Sequence, residues 1–298
     1  MLAAALTTIF FSLSVVFGAR SARLLGPQLA NLCRMTLATG LLAAWAHLFG
    51  SGIGGPGLPW FFLSGIIGFG LGDMALFGAL PRIGPRLAIL LTQCLAAPAA
   101  AAVEWLWLGT ALSPSDLACA AVILAGVATA LAPDRGSQIS RRTFSIGVLF
   151  GVGSALGQAL GAVISRKAIA VGAAVGSGID GGTAAYQRAL GGLLLTWIAA
   201  LIFQRGTRTG DSAPQWREGT RFMIANALAG PTIGVGCYQL ALKTTASGIV
   251  LPIVATSPLV TIALSWMIDR VRPTRRAVFG GVIAVLGAIA LSILHAKK

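Results

Sequence analysis

Of the eight acids in the chain, Asp73 and Glu104 are the two that fall inside long apolar stretches. At the centre of a bilayer a carboxylate costs about 2.5 kcal/mol or more, so it is normally paired, protonated or turned towards water. Asp73 therefore suits a proton-coupling group, a ligand for a substrate amine, or a structural partner for an arginine such as Arg34. Glu104, flanked by Trp105 and Trp107 near the end of its stretch, reads as a member of an interfacial belt. Arg34 and Arg188 hold matching positions about a turn inside their stretches, where a long side chain snorkels or pairs. A guanidinium also offers paired donors to a substrate carboxylate, and Tyr186 and Gln187 add polar groups beside Arg188.

Uncharged polar residues accompany them: Thr92 and Gln93, Ser154 and Gln158 at i, i+4 on one helical face, Asn226, Tyr238 and Gln239, then Thr256 and Ser257. Each alone is an ordinary interhelical hydrogen bond. Together they suggest a pocket of Asp73, Gln93, Gln158, Arg188, Tyr238 and Gln239, suited to a zwitterion or a polar metabolite with an apolar body. Pro98 and Pro258 each remove a backbone hydrogen bond, which makes either a fixed kink or a pair of gating bends. Gly153, Gly157 and Gly161, Gly65, Gly68 and Gly72, and Gly230 with Gly234 form small-residue stripes that bring helices together. Gly157 is the candidate for a face on which one helix slides. Cys33, Cys94, Cys119 and Cys237 are isolated, and His47 and His295 lie near stretch ends, so no metal site or other cofactor is expected.

The elements that must position these residues are membrane helices. The chain has 298 residues, 56% hydrophobic and only 10% charged, with a mean hydropathy of +0.85. A soluble domain has about 25% charged residues, so a soluble enzyme is excluded. A hydrocarbon core takes about 20 apolar residues per crossing, and ten crossings are expected: 1–19, 29–49, 59–80, 87–108, 116–133, 144–165, 184–204, 220–241, 248–268 and 277–294. The first lacks a positive n-region and reads as retained rather than as a cleaved signal. The formal charge of +14 is spread over short connections, which fits anionic lipid rather than nucleic acid.

The halves repeat, with Ala79-Leu80 matching Ala241-Leu242, Pro98 matching Pro258, Gly126 matching Gly287 and Arg34 matching Arg188. The two units are 1–133 and 144–298. Five crossings per unit is an odd number, so the second copy enters from the opposite side, giving an all-α integral membrane fold of two inverted five-helix repeats. Fifteen basic residues lie in connections 1-2, 3-4, 5-6, 7-8 and 9-10, against five (Arg166, Lys167, Lys243, Lys297 and Lys298) at the other face. The positive-inside rule then places both termini outside.

The stretch from Gly72-Asp73-Met74-Ala75 to Gly78-Ala79-Leu80, with Arg82-Ile83-Gly84-Pro85-Arg86, Leu95-Ala96-Ala97-Pro98 and Leu108-Gly109, resembles EamA-type members of the drug/metabolite transporter superfamily. Ala241-Leu242-Lys243, Thr256-Ser257-Pro258 and the closing VLGAIAL repeat it. The family's Leu-Gly-Glu is Leu108-Gly109-Thr110 here. The resemblance implies a carrier of small organic solutes in the bacterial inner membrane, frequently an exporter of amino acids or related metabolites. It also implies cytoplasmic termini, opposite to the charge count.

A secondary carrier with alternating access explains the inverted duplication, the sparse charge and the short loops. No GxxxxGK[ST] phosphate loop occurs. A passive channel is the alternative. An intramembrane enzyme lacks a visible catalytic set. The expected partners are a small-molecule solute and the lipid bilayer, with pairing to a second copy left open and no nucleic acid.

Overall fold

The computed structural model describes residues 1–131, 140–203, 215–269 and 274–296. Arg135, Arg205, Arg208, Arg270, Arg272, Lys297 and Lys298 of the charge count, and the boundary at 133, lie outside the described residues. All regular elements described are helical: α1 (Leu2–Leu25), α2 (Pro27–Phe49), α3 (Leu58–Gly65), α4 (Asp73–Leu108), α5 (Pro114–Leu131), α6 (Arg141–Ala174), α7 (Gly181–Phe203), α8 (Trp216–Ala227), α9 (Val235–Thr244), α10 (Ser247–Val254), α11 (Ser257–Asp269) and α12 (Arg275–Ala296). Two π-helical stretches, Ile66–Gly72 and Leu228–Gly234, join α3 to α4 and α8 to α9. Among the described residues nine helices are long and apolar enough to cross a membrane. Trp216 to Thr244 supplies the tenth crossing, divided by its π-helical segment.

The expected break between the third and fourth crossings takes a different form. The backbone stays helical from Asp73 to Leu108, yet α6 meets its two arms in opposite senses. Gly153 packs on Ala75 and Gly147 on Ile83, so the first arm runs antiparallel to α6; Gly151 packs on Leu91 and Arg166 reaches Glu104, so the second runs parallel. A straight helix cannot do both. The chain therefore folds back between Ile83 and Leu91, where Pro81 and Pro85 in the sequence weaken the helical hydrogen-bond ladder. The sixth crossing is also longer than expected: its 34 residues span about 51 Å at 1.5 Å per residue, well beyond a hydrocarbon core.

Small residues set the packing, because apolar burial gives helices no reason to associate in lipid. A Cβ on Gly157 would sit 2.7 Å from the Gly72 Cα, and one on Gly161 would sit 3.1 Å from the Gly68 Cα. On the other flank of the third crossing, a Cβ on Gly65 would strike the Arg188 carbonyl and one on Gly192 the Phe69 ring. The second repeat mirrors this: Gly230 packs on Ser14 and Gly234 on Phe11 of α1. The first crossing thus lies on the eighth as the sixth lies on the third, and α5 pairs with α12 through Gly126 and Ala284. The two π-helical stretches occupy equivalent places in the two copies. Hydrogen bonds reinforce the same seams, from Ser14 to Asn226 (2.6 Å) and from Ser64 to the Gly161 carbonyl (2.6 Å).

Candidate functional site

A cavity of about 710 Å³ opens between the repeats. Gln28 and Asn31 at the start of α2, Arg82 near the fold-back, Phe150 of α6 and Thr196 of α7 line its outer part, and Phe69 and Asp73 its floor. Every lining residue belongs to the half of the molecule that holds connections 1-2, 3-4, 5-6 and 7-8. Arg82 donates to the Gly78 carbonyl (2.6 Å) and its guanidinium lies 5.0 Å from the Phe150 ring centre, which fixes a positive charge on the cavity wall.

The opposite half, where Met1 and Ala296 lie, is sealed by polar contacts. The Trp45 indole donates to Asp180 (2.9 Å), joining α2 to the start of α7. The Gln187 amide donates to the carbonyls of Gly52 (3.0 Å) and Gly54 (2.9 Å). Arg166 forms an ion pair with Glu104 (2.5 Å) and donates to the Leu242 and Thr245 carbonyls at the end of α9, each at 2.7 Å. Glu104 also accepts from the Ser247 backbone N–H (2.7 Å) and from its hydroxyl. One carboxylate and one guanidinium thereby tie together the fourth, sixth, eighth and ninth crossings. Glu104 is not an interfacial residue: it is 1% exposed, because its partners, Arg166 and Ser247, converge from two other crossings.

Between cavity and seal sits a charged cluster. Arg188, seven residues into α7 and 4% exposed, does not snorkel. Its guanidinium lies 4.6 Å from the Phe69 ring centre and 5.5 Å from that of Tyr238, distances at which a cation is held by ring faces. Asp73 interacts electrostatically with both Arg34 and Arg188. Arg34 donates to Asn31 (2.7 Å) on its own helix. The arginines at matching positions of the two repeats therefore both lie within electrostatic reach of one acid.

The suggested pocket is only partly assembled here. Asp73, Arg188 and Tyr238 come together, and of the six suggested residues Asp73 alone lines the large cavity. Gln239 is buried in the sealed half and donates to Ser165 (3.3 Å), which bonds Ser64 (2.8 Å). Gln93 and Gln158 are half-buried on α4 and α6. Pro98 is exposed along α4. Pro258 is the second residue of α11, just past a break at Ala255 and Thr256, so it starts a helix, where its missing N–H costs little. Phe69, Arg82 and Arg166 are site or seal residues that sequence reading missed. Equivalence of the glycine stripes marked the third crossing, but nothing in a lone Phe or Arg distinguishes a stacked residue from a lipid-facing or loop one. Among the described residues no three His, Cys, Asp or Glu side chains converge as a metal site.

An inverted duplication around a one-sided, mid-depth cavity defines a polytopic membrane transporter architecture. The model of the EamA-like transporter family matches residues 1–132 and 145–293, and the chain belongs to that family. In fold it is similar to a solved structure described as "Crystal structure of protein", at 18% identity and a TM-score of 0.78, over 99% of this chain and 96% of the other. No curated protein matches it in sequence.

Proposed function

We propose that this membrane transporter is a secondary carrier that moves a small organic solute by alternating access, exporting an amino acid or related metabolite across a bacterial inner membrane. The observation that carries the reading is the cavity that stops at Asp73 while the opposite half is tied shut by the Glu104–Arg166 and Trp45–Asp180 contacts. A pathway blocked at one end is what a carrier needs and a channel lacks. The inverted repeats supply the other state: exchanging the conformations of the two halves opens the sealed side and closes the open one.

In this reading Asp73 and Arg188 form the solute site with Tyr238, while Gln93, Gln158 and Gln239 join its wall when the seal parts. Gly157, Pro98 and Pro258 belong to the moving surfaces. No catalytic residue is assigned. Counterflow in proteoliposomes tests this directly: saturable uptake accelerated by internal solute supports a carrier, and linear, unaccelerated flux overturns it. Running the assay with and without a proton gradient, with Asp73→Asn beside the wild type, tests coupling at Asp73; full proton-driven uptake by the variant would remove that role.

A further inference from the structure

Arg188 is nearly inaccessible, yet its Nε and Nη1 donors have no hydrogen-bond partner. Buried guanidinium donors are almost always satisfied, and leaving them bare is costly. The neighbourhood does not repair this. Tyr238 shares a side-chain hydrogen bond with the guanidinium, and the Phe69 ring lies 4.6 Å from it, but Nε and Nη1 still find no acceptor. Asp73 is shared between Arg34 and Arg188.

Charge points the same way. The central and sealing clusters contain three guanidiniums, Arg34, Arg166 and Arg188, and two carboxylates, Asp73 and Glu104. Glu104 is taken by Arg166, so two guanidiniums face Asp73 alone. A cationic solute at Asp73 would remove the one counter-charge those arginines have. A monoanion would restore balance and supply acceptors for the bare donors. Arg82 on the cavity wall adds positive potential along the approach, and the apolar lining of Leu71, Met74, Leu195 and Ala199 suits a hydrocarbon body.

Resting on the carrier reading above, we infer that the solute is a carboxylate with an apolar body, held by the guanidinium of Arg188 and accepting from its bare donors. Phe69 lies between the cavity and the guanidinium. Its ring swings aside as the carboxylate enters and then packs against the solute's body.

The test uses the full chain in nanodiscs and matched probe triplets: 4-methylpentanoate and 3-phenylpropanoate, each with its primary amide and the corresponding amine, read by thermal shift and equilibrium binding. At least one acid should bind, with its amide and amine weaker by roughly tenfold or more, since bonds to an ionised acceptor are about twice as strong as neutral ones. Arg188→Lys, which keeps the charge but loses the fork, should weaken that acid by roughly tenfold, and Arg188→Gln should abolish its binding. Amide or amine binding as tight as the acid, or no acid binding at all, overturns the assignment; because that comparison is made on the wild type, it stands even where a variant fails to fold. Counterflow of the same probes separates the two readings. An acid that binds but is not exchanged keeps the anion site and removes the carrier, whereas amines exchanged in preference to acids keep the carrier and remove the anion site.

Discussion

Asp180 shows how one side chain holds the sealed face. It precedes α7, accepts from the Gly182 and Thr183 N–H groups (2.9 and 3.0 Å) and from the Thr183 hydroxyl (2.5 Å), and receives the Trp45 indole. Burial pushes its carboxyl up, but the bonds from Thr183, Trp45 and Gly182 outweigh it and hold the group below the ordinary carboxylate range. A depressed acid contributes stability that is complete above its unfolded value, about 3.9, and that fades as pH falls through the folded one. Asp180→Ala should therefore lower stability by about 1 kcal/mol at pH 7, the usual worth of such a cap, and the deficit should shrink as the sample is acidified below about pH 4. Thermal unfolding in detergent across that range checks both. The acid Glu104 makes a larger demand. Removing one partner of a buried ion pair costs about 3–5 kcal/mol, so Glu104→Ala should unfold early, and Glu104→Met with Arg166→Met should recover much of the loss in the same assay.

Among the elements, the glycine faces and the π-helical stretches carry the expected motion. Gly157 meets Gly72 so closely that a Leu side chain has no room. Gly157→Leu should cut solute exchange by roughly tenfold or more in protein that still inserts, since small residues at such contacts set the interhelical approach; unchanged exchange would show that this face does not move. The crossings, their duplication and the small-residue stripes were all legible, because hydrophobic length and glycine spacing are written locally. The π-helical stretches were not. A single extra residue in a turn changes the hydrogen-bond pattern without changing composition, so Ile66–Gly72 and Leu228–Gly234 look like any other apolar run. Pro258 misled for a related reason: sequence shows that a proline interrupts something, but only the backbone shows that Ala255 and Thr256 break the helix first. Glu104 was misread because its partners, Arg166 and Ser247, sit on other crossings, and aromatic neighbours in sequence said nothing about them.

For the molecule as a whole, two copies of one five-helix unit face each other upside down, and their two equivalently placed arginines lie within electrostatic reach of a single acid at mid-depth. That symmetry makes the sealed and open halves versions of the same structure, differing in which end of α2 and α7 is held together. The most direct measurement places spin labels on Gln28 and Ala200 at the cavity mouth, and on Phe49 and Ser177 at the sealed face, and follows both distances as saturating solute is added. The expected result is opposed change, the mouth pair shortening in a fraction of molecules while the sealed pair lengthens in the same fraction. Two distances that stay fixed, or that grow and shrink together, would contradict alternating access.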